Sequence, residues 1–394
     1  MPPTEVAQAR PRHLTLLAGA IVFTALNLRT AVASVPPLLD EMRADVPLST
    51  TAAGALTTLP VICMASGASV APRLARRIGT EAAVAALGLT MVVGMLIRLV
   101  PGIVPLFAGT TVAGLGIALG NVLVPSLIKR DFHERHVGPM TGGYTMAISA
   151  SGAVAAALTI PVEEAIGHGW RPALAIWAIP ALAAALIWLP WIARATPADR
   201  AAPLPSLWRN RLAWQVTAFM GIQSLLFYSC LSWLPVILRE EGIERGAAGA
   251  LLSVMLLTAI PTCLLMPVAA SRARDQRASI AVTLAVYAAG LAGLLVAPGA
   301  APALWATLLG FAQGALLALA FLMFGLRASD QEHAAQLSAM AQTVGYAVAA
   351  AGPLLLGALR EATGGWAVPV AVLLVALVPL LAAGMGAGRA RQVG

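Results

Sequence analysis

The chain has 394 residues, of which 59% are hydrophobic and only 11% charged, and it carries a formal net charge of +8. A water-soluble domain needs about 25% charged residues to cover its surface, so most of this surface must face something other than water. The basic excess does not mark a nucleic-acid binder either, because the 25 Lys and Arg sit in small groups between apolar runs and form no continuous stripe.

Residues 1–13 are polar, with Arg10 and Arg12 just ahead of the first apolar run. No small-residue cleavage site leads from that run into a soluble domain, which argues against a signal peptide. Twelve apolar segments follow, predicted at 14–38, 50–71, 82–100, 103–128, 137–162, 171–193, 212–238, 248–269, 278–297, 302–326, 335–358 and 366–388. Each is close to or above the roughly 20 residues that cross a bilayer as a helix. The expected fold is therefore an all-α membrane protein of twelve transmembrane helices.

Basic residues in the connecting segments set an orientation. With the N-terminus inside, 18 of the 25 fall on the inner side and six on the outer side, the six including Arg98, while Arg29 lies within a span. That bias predicts a bacterial inner-membrane protein with both termini cytoplasmic.

The longest inner segment, 194–211, is rich in Pro and Arg and separates two sets of six spans. The predicted organisation is an N-terminal half at 1–193, a linker at 194–211 and a C-terminal half at 212–394. The halves echo each other: Gly114 and Gly116 in span 4 answer Gly310 and Gly314 in span 10, and Gly169-Trp170 before span 6 answers Gly365-Trp366 before span 12. Two similar six-span halves are the layout of the major facilitator architecture, whose substrate site lies between the halves near the midplane. Gly142, Gly143 and Gly152 in span 5, and Gly345, Gly352 and Gly357 in span 11, read as close-packing faces.

All 17 acidic residues fall in the termini or loops and none in a predicted span, and Arg29 is the one basic residue deep within a span. Arginine cannot shed its proton, and a charge at that depth normally faces the protein interior and serves function. With no membrane carboxylate to neutralise it, Arg29 should meet an anion, a carbonyl dipole or water, and its planar fork suits an anionic or nitro-type group. A purely structural tie to backbone carbonyls is the plainer alternative. Neutral polar side chains supply the rest of a candidate site: Asn121 in span 4, Tyr144 in span 5, Gln223 and Tyr228 in span 7, Gln313 in span 10, and Gln342 and Tyr346 four residues apart on span 11. Any one of them could instead make an interhelical hydrogen bond. Asn27 lies about 200° around an ideal helix from Arg29, so it is expected to face a neighbouring span. Trp170, Trp188, Trp191 and Trp366 near span ends read as interfacial anchors, and Trp233, beside Pro235 at the end of span 7, is a gate candidate.

No phosphate-binding Gly-rich loop with its Lys is present, so neither an enzyme nor an ATP-driven pump is expected. Cys63, Cys230 and Cys263 lie within apolar runs and have neither metal-ligand nor disulfide spacing. No cofactor and no metal are predicted.

Several strings carry a likeness. Asn27-Leu28-Arg29 with Pro36-Pro37-Leu38-Leu39, the run from Gly120 to Phe132, Gln223-Ser224-Leu225-Leu226-Phe227-Tyr228 with Trp233-Leu234-Pro235, and Met340-Ala341-Gln342-Thr343-Val344-Gly345-Tyr346 resemble the cyanate and 2-nitroimidazole permease family of the major facilitator superfamily. The likeness runs over nearly the whole chain. After span 2 the superfamily usually has Asp-Arg-x-Gly-Arg, and here the string is Arg76-Arg77-Ile78-Gly79-Thr80, without the acidic residue. The resemblance implies secondary transport of small anionic or nitro-aromatic compounds. The expectation is thus a monomeric transporter, working in the lipid bilayer on a small solute by alternating access, with a proton as candidate coupling ion and no nucleic-acid partner. An exporter of drugs or metabolites on the same fold, and a non-transporting scaffold or sensor, are the alternatives.

Overall fold

The computed structural model describes residues 11–46, 50–67, 70–167, 169–193 and 206–393. Residues 194–205 of the predicted linker, and with them Arg194 and Arg200, lie outside the described residues, as do Arg10 and His168. Among the described residues the chain forms helices throughout, joined by short turns and one isolated parallel bridge between Ala328 and Val393.

Among the described residues ten helical segments are long and apolar enough to cross a membrane, and two bent pairs, each taken as one span, bring the number to twelve. In chain order the ten are Leu14–Ala33, Thr80–Ile97, Ile103–Asp131, Trp170–Ile192, Arg211–Glu240, Ala247–Ser271, Arg277–Val296, Pro302–Leu326, Gln331–Thr363 and Ala367–Ala387. They serve as spans 1, 3, 4, 6, 7, 8, 9, 10, 11 and 12. Span 2 is the helix Thr50–Gly67, followed after a bend of 54° by Ala71–Ile78. Span 5 is Glu134–Ile166, bent by 42° near Ala155. Each span therefore falls on a predicted apolar run.

The packing repeats with a shift of six spans. Span 3 lies along span 4 as span 9 lies along span 10; span 2 meets 4 as 8 meets 10; span 1 meets 5 as 7 meets 11; span 3 meets 6 as 9 meets 12. The paired glycines explain one such match. A methyl on Gly114 would stand 2.9 Å from the Cys63 Cβ of span 2, and one on Gly314 would collide with the Ala259 carbonyl of span 8. Spans 4 and 10 are also the most enclosed, each with 83% of its apolar window buried, against 17% for span 8. The two central spans thus occupy matching positions in the two halves.

The halves meet through spans 5 and 8, 2 and 11, and 4 and 11. Close contacts in these seams lie toward the end of the bundle where span 1 begins and span 12 ends. There Gly142 lets span 5 approach the Leu264 carbonyl of span 8, where a methyl would stand 2.5 Å away. Next to it the Thr145 hydroxyl donates to the Cys263 carbonyl at 2.8 Å. At the same end the Gln331 amide donates to the Thr80 hydroxyl at 3.0 Å. Glu81, a few residues past the Arg76-Arg77 pair, pairs with Arg130 at 2.6 Å, and Asp131 holds the same guanidinium at 2.7 Å. A carboxylate therefore does serve this corner, displaced from the place the superfamily string gives it.

Two sequence expectations need correction here. Trp188 is no interfacial anchor: it is fully buried, and its indole N–H donates to the Thr24 hydroxyl of span 1 at 2.9 Å. Arg98, counted with the outer loops, is 1% exposed at the end of span 3. The reason is local, since Gly109 of span 4 leaves room for its stem: a methyl there would stand 2.8 Å from the Arg98 Cγ.

Candidate functional site

Span 1 does not cross as one regular helix. It runs from Pro11 to Ala25, turns over residues 26–29, and resumes as the short helix Thr30–Ala33. The cause is in the side chains. Thr24 donates to the Ala20 carbonyl, Asn27 to Phe23 and Thr30 to Asn27, at 2.8, 2.8 and 2.9 Å. Such side-chain bonds compete with the helical ladder, and the backbone tightens to three-residue steps, with Asn27 N–H on Thr24 and Leu28 N–H on Ala25. Irregular backbone at membrane depth is tolerated only where protein or a cavity surrounds it. Here the break is seated between glycines: Leu28 packs against Gly120 of span 4, and the stem of Arg29 against Gly152 of span 5. The 200° argument for Asn27 fails because no regular helix exists at that point, and its amide N–H₂ binds its own span rather than a neighbour.

Arg29, half-buried at this break, reaches across to the other half, where its guanidinium carbon lies 5.5 Å from the centre of the Phe227 ring of span 7. That is cation–π range. Its charge also lies within electrostatic reach of the Tyr144, Tyr228 and Tyr346 hydroxyls and of Cys263. The ion pairs among the described residues all involve other groups, so Arg29 has no carboxylate partner there.

Aromatic residues make up 5% of the chain, with only four tyrosines and eight phenylalanines. Three of the four tyrosines lie within electrostatic reach of Arg29, and Phe227 packs edge-on to Tyr228 at 5.2 Å. Phe321 of span 10 meets Tyr144 edge-on at 5.5 Å, with Phe324 behind it at 5.4 Å. In so aromatic-poor a chain this gathering makes one guanidinium in an aromatic, phenol-bearing setting, drawn from spans 1, 5, 7, 10 and 11. Sequence reasoning passed over Phe227, Phe321 and Phe324; the scarcity of aromatics elsewhere was the available signal.

The other candidates divide. Tyr144 donates to the Asn121 side chain at 3.3 Å, and Gln342 donates to the Asn121 carbonyl and to the Ser338 hydroxyl, both at 2.8 Å. Asn121, Tyr144 and Gln342 therefore form a latch from spans 4 and 5 to span 11, next to Arg29. Gln223 turns back along span 7 to Ser224 at 2.7 Å and the Met220 sulfur. Gln313 is not brought to Arg29: its amide donates to the Tyr287 hydroxyl at 2.7 Å, in a separate buried group with Cys230 inside the second half. Trp233 donates to the Pro353 carbonyl at 2.9 Å and lies tilted against Trp366, ring centres 5.1 Å apart, so these contacts run to spans 11 and 12 of its own half. Among the described residues no three His, Cys, Asp or Glu side chains come together as a metal set.

A twelve-span bundle of two matching halves, with a lone cation and aromatic and polar groups where the halves meet, defines a secondary transporter. The sequence profile of the Major Facilitator Superfamily matches residues 16–353, and the chain belongs to that superfamily. Within it the chain stands with the cyanate and 2-nitroimidazole permeases. It is 40% identical to the 2-nitroimidazole transporter of Escherichia coli (strain K12) over 97% of each chain. It is 30% identical to the cyanate transport protein CynX of the same organism, over 88% of this chain and 90% of that one. The uncharacterized transporter YycB of Bacillus subtilis (strain 168) is 40% identical over 96% and 94%. Among solved structures the fold matches the transporter FucP in its outward conformation, with a TM-score of 0.75 at 12% identity over 94% of this chain and 98% of that one.

Proposed function

We propose that this transporter moves a small anionic or nitro-type solute, cyanate-like or nitroimidazole-like, across the bacterial inner membrane by alternating access. The observation that carries the reading is the Arg29 guanidinium at the break in span 1, which has no carboxylate partner among the described residues and faces Phe227 across the seam between halves. A fixed cation at membrane depth is costly unless an anion or a π face meets it, and a cargo with a planar, negatively charged or nitro end meets the guanidinium and the ring together. The tyrosines Tyr228 and Tyr346 supply hydroxyls beside it, and Asn121, Tyr144 and Gln342 shape its wall. The named functions of two relatives, 2-nitroimidazole and cyanate transport, support the same class. Gln223, Gln313 and Trp233 take supporting places at greater remove.

The two bodies that rock are 1–193 and 212–394, joined by 194–211, and one chain suffices for the cycle. With the termini in the cytoplasm, the conformation described above is closed to the cytoplasm by the seams of spans 5 with 8 and 4 with 11. A proton, where one is coupled, travels with the cargo, since Arg29 itself cannot titrate.

The test is uptake of cyanate, nitrate and 2-nitroimidazole into proteoliposomes by the wild type and by Arg29→Ala. Loss of about a hundredfold in kcat/KM is expected for at least one of these solutes, as for removal of a desolvated charge contact worth about 3 kcal/mol. Equal transport by both proteins would remove Arg29 from the site.

A further inference from the structure

Arg98 is buried at the end of span 3, opposite to the end that carries the termini, and its Nη1 donates to the Ala31 carbonyl at 2.9 Å. Its Nε and Nη2 have no hydrogen-bond partner among the described residues. These two donors form one edge of the guanidinium, the edge that grips carboxylates, so the residue is not there to complete an ion pair. A cation buried with one edge unmet does not recover the cost of its desolvation locally. What it does meet explains it. Ala31 lies in the four-residue helix Thr30–Ala33 that follows the break in span 1, with Arg29 at its N-cap position. Beyond this helix the Ser34 amide bonds to Thr30 and the Val35 amide to Val32, so the backbone amides skip the Ala31 carbonyl. A carbonyl left over at a helix C-terminus needs a donor, in a membrane it needs one from the protein, and a basic side chain is the group favoured there.

We propose that Arg98 is a positioning residue for cargo recognition: it caps the broken span 1 at Ala31 and thereby fixes the turn that presents Arg29. This rests on the reading of Arg29 as the cargo contact, and the experiment separates the two. Hydrogen exchange of the purified full chain is followed at residues 26–35, alongside binding of sodium cyanate and 2-nitroimidazole. Arg98→Met exchanges faster at 26–35 and binds whichever probe the wild type binds about tenfold more weakly, the scale of one lost charge-assisted bond. Arg98→Lys, whose ammonium still reaches a carbonyl, restores both. Arg29→Ala loses binding with exchange at 30–35 unchanged. A role confined to stability would lower the melting temperature of Arg98→Met and leave probe affinity, measured well below that temperature, at the wild-type value, and that result overturns the proposal. Unchanged exchange at 26–35 in Arg98→Met overturns it too. If Arg98→Met cannot be purified, Arg98→Lys decides: slow exchange with intact affinity supports the cap, and slow exchange with lost affinity overturns it. Wild-type binding by Arg29→Ala removes the central-site reading instead, while exchange in Arg98→Met still judges the cap.

Discussion

The two ends of the molecule each bury an arginine, and they use it differently. At the end with the termini, Arg327 follows span 10 and makes three bonds: Nε donates to the Ala387 carbonyl at 2.6 Å, and Nη2 to the Gly388 carbonyl at 3.1 Å and to the Gln276 side chain. The Gln276 amide returns a bond to the Gly388 carbonyl at 3.0 Å, and the Val393 amide one to the Arg327 carbonyl at 2.7 Å. Burial pushes this guanidinium down to about 10, with Asp275 opposing the shift, so it stays charged at neutral pH. Arg327 is thus a clamp that gathers spans 9, 10 and 12 and the C-terminal tail. Arg98, at the far end, meets one carbonyl, and its other edge has no partner among the described residues. A buried cation that ties several segments together serves packing; one with a single bond is placed for the group it touches.

The first way to break that comparison is at the clamp. Arg327→Ala strips the donor from the buried Ala387 carbonyl and the buried Gln276 amide oxygen and takes one of two donors from the Gly388 carbonyl, and should cost about 3 kcal/mol. The melting temperature in detergent or in proteoliposomes reads this loss. Cargo KM should not change in whatever fraction remains folded, because none of the clamped groups lies near Arg29. A KM shift in Arg327→Ala as large as that in Arg98→Met would erase the distinction between the two arginines.

The ends differ in a second respect. Toward the termini the halves touch each other through Gly142 and Leu264, Thr145 and Cys263, and Thr80 and Gln331. At the other end the ion pairs Arg171 with Asp45 and Arg360 with Glu240 each stay within one half. The close approach of spans 5 and 8 therefore depends on a missing side chain. Gly142→Ala puts a methyl against the Leu264 carbonyl and should cost the closed arrangement about 1–3 kcal/mol. Buried, free Cys263 lies on that seam, with its sulfur 3.3 Å from the Ser149 hydroxyl. Maleimide labelling of Cys263 should rise severalfold in Gly142→Ala; labelling equal to the wild type would mean the seam does not open there.

Much of this was legible in the sequence, and the limits have physical causes. Span positions follow from apolar length, and the six-plus-six layout from glycines that recur at matching places, because backbone contact between helices admits no side chain. Arg29 stood out because ionised groups are so rarely found at depth. What the sequence hid was pairing. Gln313 of span 10 and Gln342 of span 11 are both buried glutamines, yet one bonds to Tyr287 inside its own half and the other reaches Asn121 across the seam. Composition and periodicity do not decide between those partners, since both satisfy a buried amide equally well. The break in span 1 was hidden for a related reason: Thr24, Asn27 and Thr30 are each tolerable in a helix, and only their three bonds to backbone carbonyls together loosen it.

The smallest expected effect sharpens the account of the terminal end. Asp330 caps span 11, accepting from the His333 amide at 2.9 Å, while its other oxygen meets the His333 ring at 2.6 Å and the Ser329 hydroxyl at 2.9 Å. Asp330→Ala removes an N-cap and should cost about 1 kcal/mol. Partial burial works against ionising the carboxyl, but the bonds from His333 and Ser329 outweigh it and hold the group below its ordinary value of 3.8. A depressed carboxyl stabilises the fold above its unfolded pKa, and that contribution disappears as pH falls through the lower, folded value. The stability gap between wild type and Asp330→Ala should therefore be constant from neutrality down to about pH 5, then narrow below about pH 4. Asp330→Asn keeps an acceptor for the amide and loses the charge on His333, so at neutral pH it should fall between the two. A gap that widens on acidification would mean that the uncharged carboxyl makes the better cap, and that the charge on Asp330 contributes nothing to closing this end.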